Sequence, residues 1–170
     1  MVNSTDGIAV LLIDMIPYFT KEMKRAEFRR LVLGQRKVLE ECDNRDVPVA
    51  IIEWDGRGST ISQLKPNLSN IRRKSVVKKN YVDSFSETDL DEVLRAWEIR
   101  EVCLTGICAS ACVLRTAYGA LSAGYNVSTS GDLLGFERGL DSQERGILLK
   151  EYQRLGYFAP TVHRFLELWR

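Results

Sequence analysis

Short apolar runs that alternate with amphipathic segments constrain the fold of this chain most strongly. The run "GIAVLLID" (residues 7–14) is almost entirely apolar and ends in an acid, which indicates a strand buried on both faces. Further strands are predicted at 47–54, 75–79, 100–106 and 125–132. Strands that alternate with helices form parallel β-α-β units. The sequence therefore predicts an α/β fold with a doubly wound, mainly parallel sheet of about six strands and helices on both faces.

The segments between these runs have the apolar spacing of helices. Helices are predicted at 21–44, 88–98, 111–124 and 141–155, and the segment 160–168 fits either a last strand or a short helix. Thr88 is expected to be an N-cap. In the third helix, one apolar face is predicted to contain Val113, Ala117, Ala120, Leu121 and Gly124.

Length and charge limit the class of protein. A chain of 170 residues has the size of one domain, so a single domain over 1–170 is expected. A net charge of +1 without a long basic run argues against nucleic-acid binding. No apolar run reaches the ~18 residues of a membrane span, and the first residues lack the pattern of a signal peptide. We expect a cytoplasmic protein with no membrane partner and with reduced cysteines.

Histidine, the usual nitrogen ligand of zinc, is scarce in this sequence. It contains one histidine, His163, which we interpret as structural, and no Cys-x-x-Cys motif. A zinc site, which needs nitrogen or sulfur ligands, is therefore not expected, and no other cofactor is predicted. Glu53 and Asp55 at the end of the second strand leave weak binding of a hard cation open.

Reactive side chains stand at the ends of several predicted strands. Asp14 ends the first strand, Lys79 ends the third, and Cys108 and Cys112 follow the fourth. The carboxyl ends of parallel strands form one edge of the sheet, where ligands bind. Cys112, in the first helical turn, is expected to be a nucleophile whose thiolate is stabilised by the helix dipole and by Lys79. Asp14 is expected to exchange protons with it.

Neighbouring groups complete this candidate site. The backbone N–H groups of Cys108 and Cys112 are candidates for an oxyanion hole. Phe19 and Trp54 are candidate substrate-binding walls of a pocket, although ordinary packing explains them equally well. Cys42 is interpreted as an inert packing residue, as is Cys103.

Three segments resemble a known family. "LLIDMIPYF", "VVKKNYVDSF" and "LTGICASACVLRTA" are similar to the catalytic segments of the isochorismatase-like cysteine hydrolases, which include nicotinamidases and carbamoyl amidases. The resemblance extends over residues 7–131. It implies that Asp14 is the proton shuttle, Lys79 the charged partner and Cys112 the nucleophile.

The same resemblance implies a cis peptide bond between Ile107 and Cys108, which directs the Cys108 amide into the oxyanion site. Two departures from the family pattern stand out. Residues 16–18 are Ile-Pro-Tyr where Gln-Asn-Asp is common, and residues 53–55 are Glu-Trp-Asp where metal-dependent members have Asp-x-His. The resemblance therefore favours a metal-independent member and makes nicotinamide a doubtful substrate.

The leading hypothesis is a metal-independent cysteine hydrolase that cleaves a small amide or carbamoyl substrate through a thioester. The resemblance also implies a homo-oligomer, a dimer or a tetramer. One alternative is an isochorismatase-like vinyl-ether hydrolase, which does not need Cys112. Another is a non-catalytic binding or oxidant-sensing protein, in which Cys112 would have ordinary reactivity or would be oxidised without hydrolysis.

Overall fold

The computed structural model describes residues 5–170, and a seven-stranded sheet forms its centre. The strands are β1 (Ile8–Ile13), β2 (Val49–Trp54), β3 (Lys74–Lys79), β4 (Glu101–Ile107), β5 (Asn126–Ser130), β6 (Leu134–Gly135) and β7 (Tyr157–Ala159). The helices are α1 (Pro17–Thr20), α2 (Arg25–Arg45), α3 (Lys65–Asn70), α4 (Leu90–Ala96), α5 (Cys112–Ser122), α6 (Ser142–Leu155) and α7 (Val162–Glu167), and a 3₁₀ turn covers Gly131–Leu133.

The strand order confirms the predicted doubly wound fold. The strands lie in the order β3-β2-β1-β4-β5-β7, with β6 beside β4, and all of the recorded pairs are parallel. The five predicted strands correspond to β1–β5, and the short strands β6 (two residues) and β7 (three residues) were not predicted. The segment 160–168 forms α7, so its interpretation as a helix is correct, and the short strand β7 precedes it.

The central strand β1 is apolar throughout because both of its faces are covered. Ile8, Val10 and Leu12 belong to the core on one side of the sheet, and the alternate residues of the strand belong to the core on the other side. Each fully buried aliphatic side chain contributes roughly 1.5–3 kcal/mol. This burial fixes the register of β1 between β2 and β4, and with it the position of the residue that follows.

Two local predictions about helices are only partly correct. The N-cap position of α4 is Asp89, whose side chain makes no capping hydrogen bond. The hydroxyl of Thr88 accepts a hydrogen bond from the N–H of Leu90 in the first turn (3.3 Å) and donates one to the carbonyl of Ser84 (2.6 Å). Of the predicted apolar face, Val113, Ala117 and Ala120 are buried, whereas Leu121 is exposed and Gly124 lies beyond the end of α5. Thr116, which was not predicted, is also buried. The hydroxyl of Thr116 can be buried because it accepts a hydrogen bond from the backbone N–H of Ser84 and forms another with the Ser84 hydroxyl.

Within residues 5–170, no helix is both long enough and apolar enough to span a bilayer.

Candidate active site

Three strand ends bring the predicted site residues together at one edge of the sheet. Asp14 follows β1 directly and has a left-handed backbone with φ of 53°. Lys79 is the last residue of β3, and Cys112 is the first residue of α5, a short turn after β4. The parallel register of β1 with its neighbours places these positions side by side.

Lys79 and Asp14 form an ion pair that is fully buried. The lysine Nζ lies 2.7 Å from the Oδ2 of Asp14, and neither side chain is exposed to solvent. Nζ also donates a hydrogen bond to the carbonyl of Val82 (3.1 Å) and lies 5.2 Å from the centre of the Trp54 ring. Since an unpaired buried charge is costly, each member of the pair holds the other in place.

The Asp14 carboxyl has a raised pKa. Burial raises it, and the nearby Lys79 ammonium only partly offsets that effect. The thiol of Cys112 and the backbone of Trp54 also contact the carboxylate. Because its pKa is raised, Asp14 is a better proton acceptor than an ordinary aspartate.

Lys79 favours the Cys112 thiolate as expected, but the net pKa shift has the opposite direction. Burial raises the pKa of this thiol to about 11, and the charge of Lys79 lowers it by less. Asp14 raises it further, through its charge and through its hydrogen-bonding contact with the thiol. Because Lys79 is paired with Asp14, the positive charge of the lysine lowers the thiol pKa while the negative charge of the aspartate raises it. At neutral pH Cys112 is thus a thiol in contact with a basic carboxylate.

The turn between β4 and α5 presents backbone amides beside this thiol. The peptide bond between Ile107 and Cys108 is cis. The carbonyl of Cys108 accepts hydrogen bonds from the N–H groups of Ala111 and Val113, both at 3.1 Å. Among the described residues, the amides of Cys108 and Cys112 have no backbone acceptor. The turn can therefore offer both N–H groups to an oxygen atom of a ligand.

A pocket of about 540 Å³ opens beside Cys108. It is lined by Tyr18, Phe19, Lys21, Glu22, Met23, Ile107, Cys108, Glu137 and Arg138. Phe19 thus lies where the sequence placed a substrate-binding residue, whereas Trp54 does not line the pocket. The Trp54 ring instead packs against that of Phe19 (6.1 Å between centroids). Sequence reasoning missed Glu137, whose loop lies far along the chain and matches no motif.

Glu53 does not offer ligands to a cation. Its Oε1 accepts hydrogen bonds from the N–H (2.7 Å) and the hydroxyl (2.9 Å) of Thr60, and its Oε2 lies 2.6 Å from Nζ of Lys78. Burial would raise the pKa of Glu53, but the partners Lys78 and Thr60 hold it below its usual range. Asp55 is exposed, and residues 5–170 contain no group of three or more His, Cys, Asp or Glu side chains suited to a metal.

A comparison with protein-family models identifies the family of this chain. Residues 8–143 match the family described as Isochorismatase domain, so the chain belongs to the isochorismatase family of hydrolases. This family includes amidases and nicotinamidases. A comparison with curated protein sequences found no match.

Solved structures with the same fold include three informative ones. An isochorismatase-like hydrolase from Alkaliphilus metalliredigens has 25% identity and a TM-score of 0.81, with 96% of this chain and 99% of that chain covered. An N-carbamoylsarcosine amidase from Thermoplasma acidophilum has 23% identity and a TM-score of 0.72, with 89% and 94% covered. A nicotinamidase from Staphylococcus aureus has 17% identity and a TM-score of 0.74, with 90% and 99% covered.

Proposed function

We propose that this protein is a metal-independent cysteine amidohydrolase that cleaves a small amide or carbamoyl compound through a thioester. The observation that carries the proposal is the buried Lys79–Asp14 pair in contact with the thiol of Cys112. Membership of a hydrolase family that includes amidases supports this reaction class. The partner is a small molecule, and a homo-oligomer remains a prediction from the family resemblance.

Acylation begins with attack of the Cys112 sulfur on the substrate carbonyl carbon. Asp14 takes the thiol proton as the S–C bond forms, which avoids a free thiolate in a buried site. The carbonyl oxygen becomes an oxyanion that accepts hydrogen bonds from the amides of Cys108 and Cys112. When this intermediate collapses, the C–N bond breaks and Asp14 returns the proton to the leaving nitrogen. Ammonia or an amine departs and leaves a thioester on Cys112.

Deacylation repeats these steps with water. Asp14 takes a proton from the water molecule as its oxygen attacks the thioester carbonyl, and the same amides hold the oxyanion. The C–S bond then breaks, the sulfur recovers a proton from Asp14, and the acid product leaves. Lys79 balances the charge of Asp14 whenever the carboxylate is ionised, so the site never contains an uncompensated buried anion at that position.

The test is Cys112→Ala, assayed for ammonia release from a library of small amides and carbamoyl compounds. Turnover should fall to background, because Cys112 is the thiol in contact with the proton acceptor Asp14. Cys103→Ala is the matched control, since this thiol is buried in β4 away from the pocket, and it should retain activity. A Cys112→Ala protein that releases ammonia at the wild-type rate would contradict the proposal. Hydrolysis of vinyl ethers by that variant would favour the alternative reaction.

A further inference from the structure

Glu137 is a carboxylate in the pocket that the proposed reaction does not use. It follows β6 and lines the pocket together with Ile107 and Cys108, whose amide lies in the proposed oxyanion site. Aromatic side chains form another part of the pocket wall. This location puts a carboxylate in the same pocket wall as Cys108.

The two oxygens of this carboxylate have different environments. Oε1 accepts a hydrogen bond from the N–H of Ser110 (3.2 Å) and a close one from the Ser110 hydroxyl. Oε2 is shielded from solvent and has no hydrogen-bond partner among residues 5–170. The turn that contains Cys108 and Cys112 therefore holds the carboxylate in place and leaves one oxygen unused. Glu137 is half-buried and lines the pocket, and a carboxylate oxygen without a partner is costly. A ligand donor that meets Oε2 as the side chain rotates about its Ser110 anchor therefore gains affinity there.

The charge of Glu137 also reaches the turn that contains the proposed oxyanion site, at Cys108. Burial raises the pKa of the Cys108 thiol to about 12, and Glu137 is the charged group that raises it most, ahead of Asp14. Glu137 thus places a negative charge beside the oxyanion site. An oxyanion formed there is repelled by Glu137 unless a positive or hydrogen-bond-donating group lies between them.

The basic residues of the same pocket do not cancel the negative charge that Glu137 places beside the oxyanion site. Lys21 and Arg138 are both exposed, so water screens their charges. The Nζ of Lys21 lies 5.4 Å from the centre of the Tyr18 ring, and Arg138 donates a hydrogen bond to the carbonyl of Glu22. Glu137 is the charged pocket residue that is anchored to the turn beside the thiol.

We propose that Glu137 determines substrate specificity by accepting a hydrogen bond from an ammonium or N–H group of the substrate. The preferred substrate is then a small amide with a second, cationic donor group, and amides that carry a carboxylate are rejected. This inference rests on the proposed amidohydrolase function, because it places the substrate carbonyl beside Cys108 and Cys112. It goes further by naming the chemistry of the other end of the substrate.

The variant Glu137→Gln tests this assignment closely. The glutamine oxygen can still accept both hydrogen bonds from Ser110, so the side chain stays anchored. The unused oxygen is replaced by an NH₂ donor and the negative charge is lost. Glu40→Gln, which removes an exposed charge on α2 away from the pocket, is the matched control.

Three probes of similar size differ only in the group beyond the amide: glycinamide is cationic, propionamide is neutral, and malonamate is anionic. Their dissociation constants are measured by NMR titration of proteins that also carry Cys112→Ala, so that binding is observed without turnover. With Glu137 present, glycinamide should bind best and malonamate worst. Glu137→Gln should weaken glycinamide roughly tenfold or more, since charged hydrogen bonds are the strong ones, and should change propionamide little. Glu40→Gln should reproduce the protein with Glu137 intact.

Equal affinity of the three probes in the presence of Glu137, or an unchanged glycinamide affinity in Glu137→Gln, would overturn the assignment. So would an equal loss for all three probes, because that result indicates a structural role. These outcomes are independent of the reaction. If Cys112→Ala retains amidase activity, the proposed function fails, whatever the binding data show. If the amidase is confirmed but the probes bind equally, only the specificity assignment fails.

Discussion

At the scale of single residues, the site combines a basic carboxylate with a weakly acidic thiol. The pKa values of Asp14 and Cys112 are both raised, mainly by burial, so the proton stays on sulfur in the free protein. A buried site of this kind avoids a persistent thiolate, which is the form that oxidants attack. The thiol loses its proton to Asp14 only as the bond to the substrate forms. Reactivity toward a simple alkylating agent should therefore be low at neutral pH.

The rate at which iodoacetamide alkylates Cys112 should increase with pH over the alkaline range. The rate in the wild-type protein should still be rising at pH 10, because the thiol pKa is about 11. In Asp14→Asn the carboxylate that raises this pKa is gone while Lys79 remains, so the pKa falls. Each unit of decrease gives roughly tenfold more thiolate at pH 8. Mass spectrometry of the modified peptide locates the label.

The matched control for this experiment is Asp55→Asn, which removes an exposed carboxylate after β2. Its alkylation profile should match that of the wild-type protein. A plateau near neutral pH in the wild type would show that the thiolate is already stable there. Slower alkylation of Asp14→Asn than of wild type at pH 8 would show that Asp14 promotes ionisation in the free protein.

At the scale of secondary structure, the close approach of β1 and β4 places the acid beside the turn that contains the thiol. Gly106 of β4 has a φ of 141°, and a Cβ atom there would lie 2.0 Å from the carbonyl oxygen of Ile13. Ile13 precedes Asp14, so any displacement at this contact moves the carboxylate. The glycine is thus required both for the backbone conformation and for the space.

The variant Gly106→Ala should be destabilised by more than about 2 kcal/mol, because strain and overpacking act together at this position. Gly139→Ala is the matched control, since Gly139 also has a positive φ (105°) but has nothing within 4 Å of the added methyl group. Gly139→Ala should lose only the unfolding free energy that corresponds to placing an alanine in a positive-φ backbone conformation. Urea unfolding followed by circular dichroism gives both values. Equal losses in the two variants would show that the contact with Ile13 has no cost.

The sequence predicted the elements whose pattern is local and strong. The apolar run of β1 indicated a central strand, and the three motif segments located Asp14, Lys79 and Cys112 at one edge. The two-residue strand β6 was not predictable, because its identity depends on pairing with β4. Glu137 was missed for the same reason: only the folded chain brings its loop to Ser110. The sign of the pKa shift of Cys112 depends on burial, which a helix position alone does not give.

At the scale of the whole molecule, the cysteines couple stability to alkaline pH. Burial raises the pKa of all four thiols in the folded state, Cys112 to about 11, Cys108 to about 12, and Cys42 and Cys103 further. In the unfolded chain they ionise near the ordinary value. Above that value the unfolded state binds fewer protons than the folded state, so the free energy of unfolding falls as pH rises. Below it, the thiols contribute their full stabilisation.

The free energy of unfolding should therefore decrease between pH 9 and 10.5, by at most about 1.4 kcal/mol per pH unit for each thiol that stays protonated in the folded state. Cys42→Ala removes one of these groups and should show a shallower decrease, although it is less stable than the wild type at pH 7. Val38→Ala, in the same face of α2, leaves a similar cavity without removing a thiol and should retain the wild-type slope. Urea titrations at several pH values, with a reducing agent present, measure the slopes. Identical slopes for Cys42→Ala and Val38→Ala would show that this thiol does not couple stability to pH.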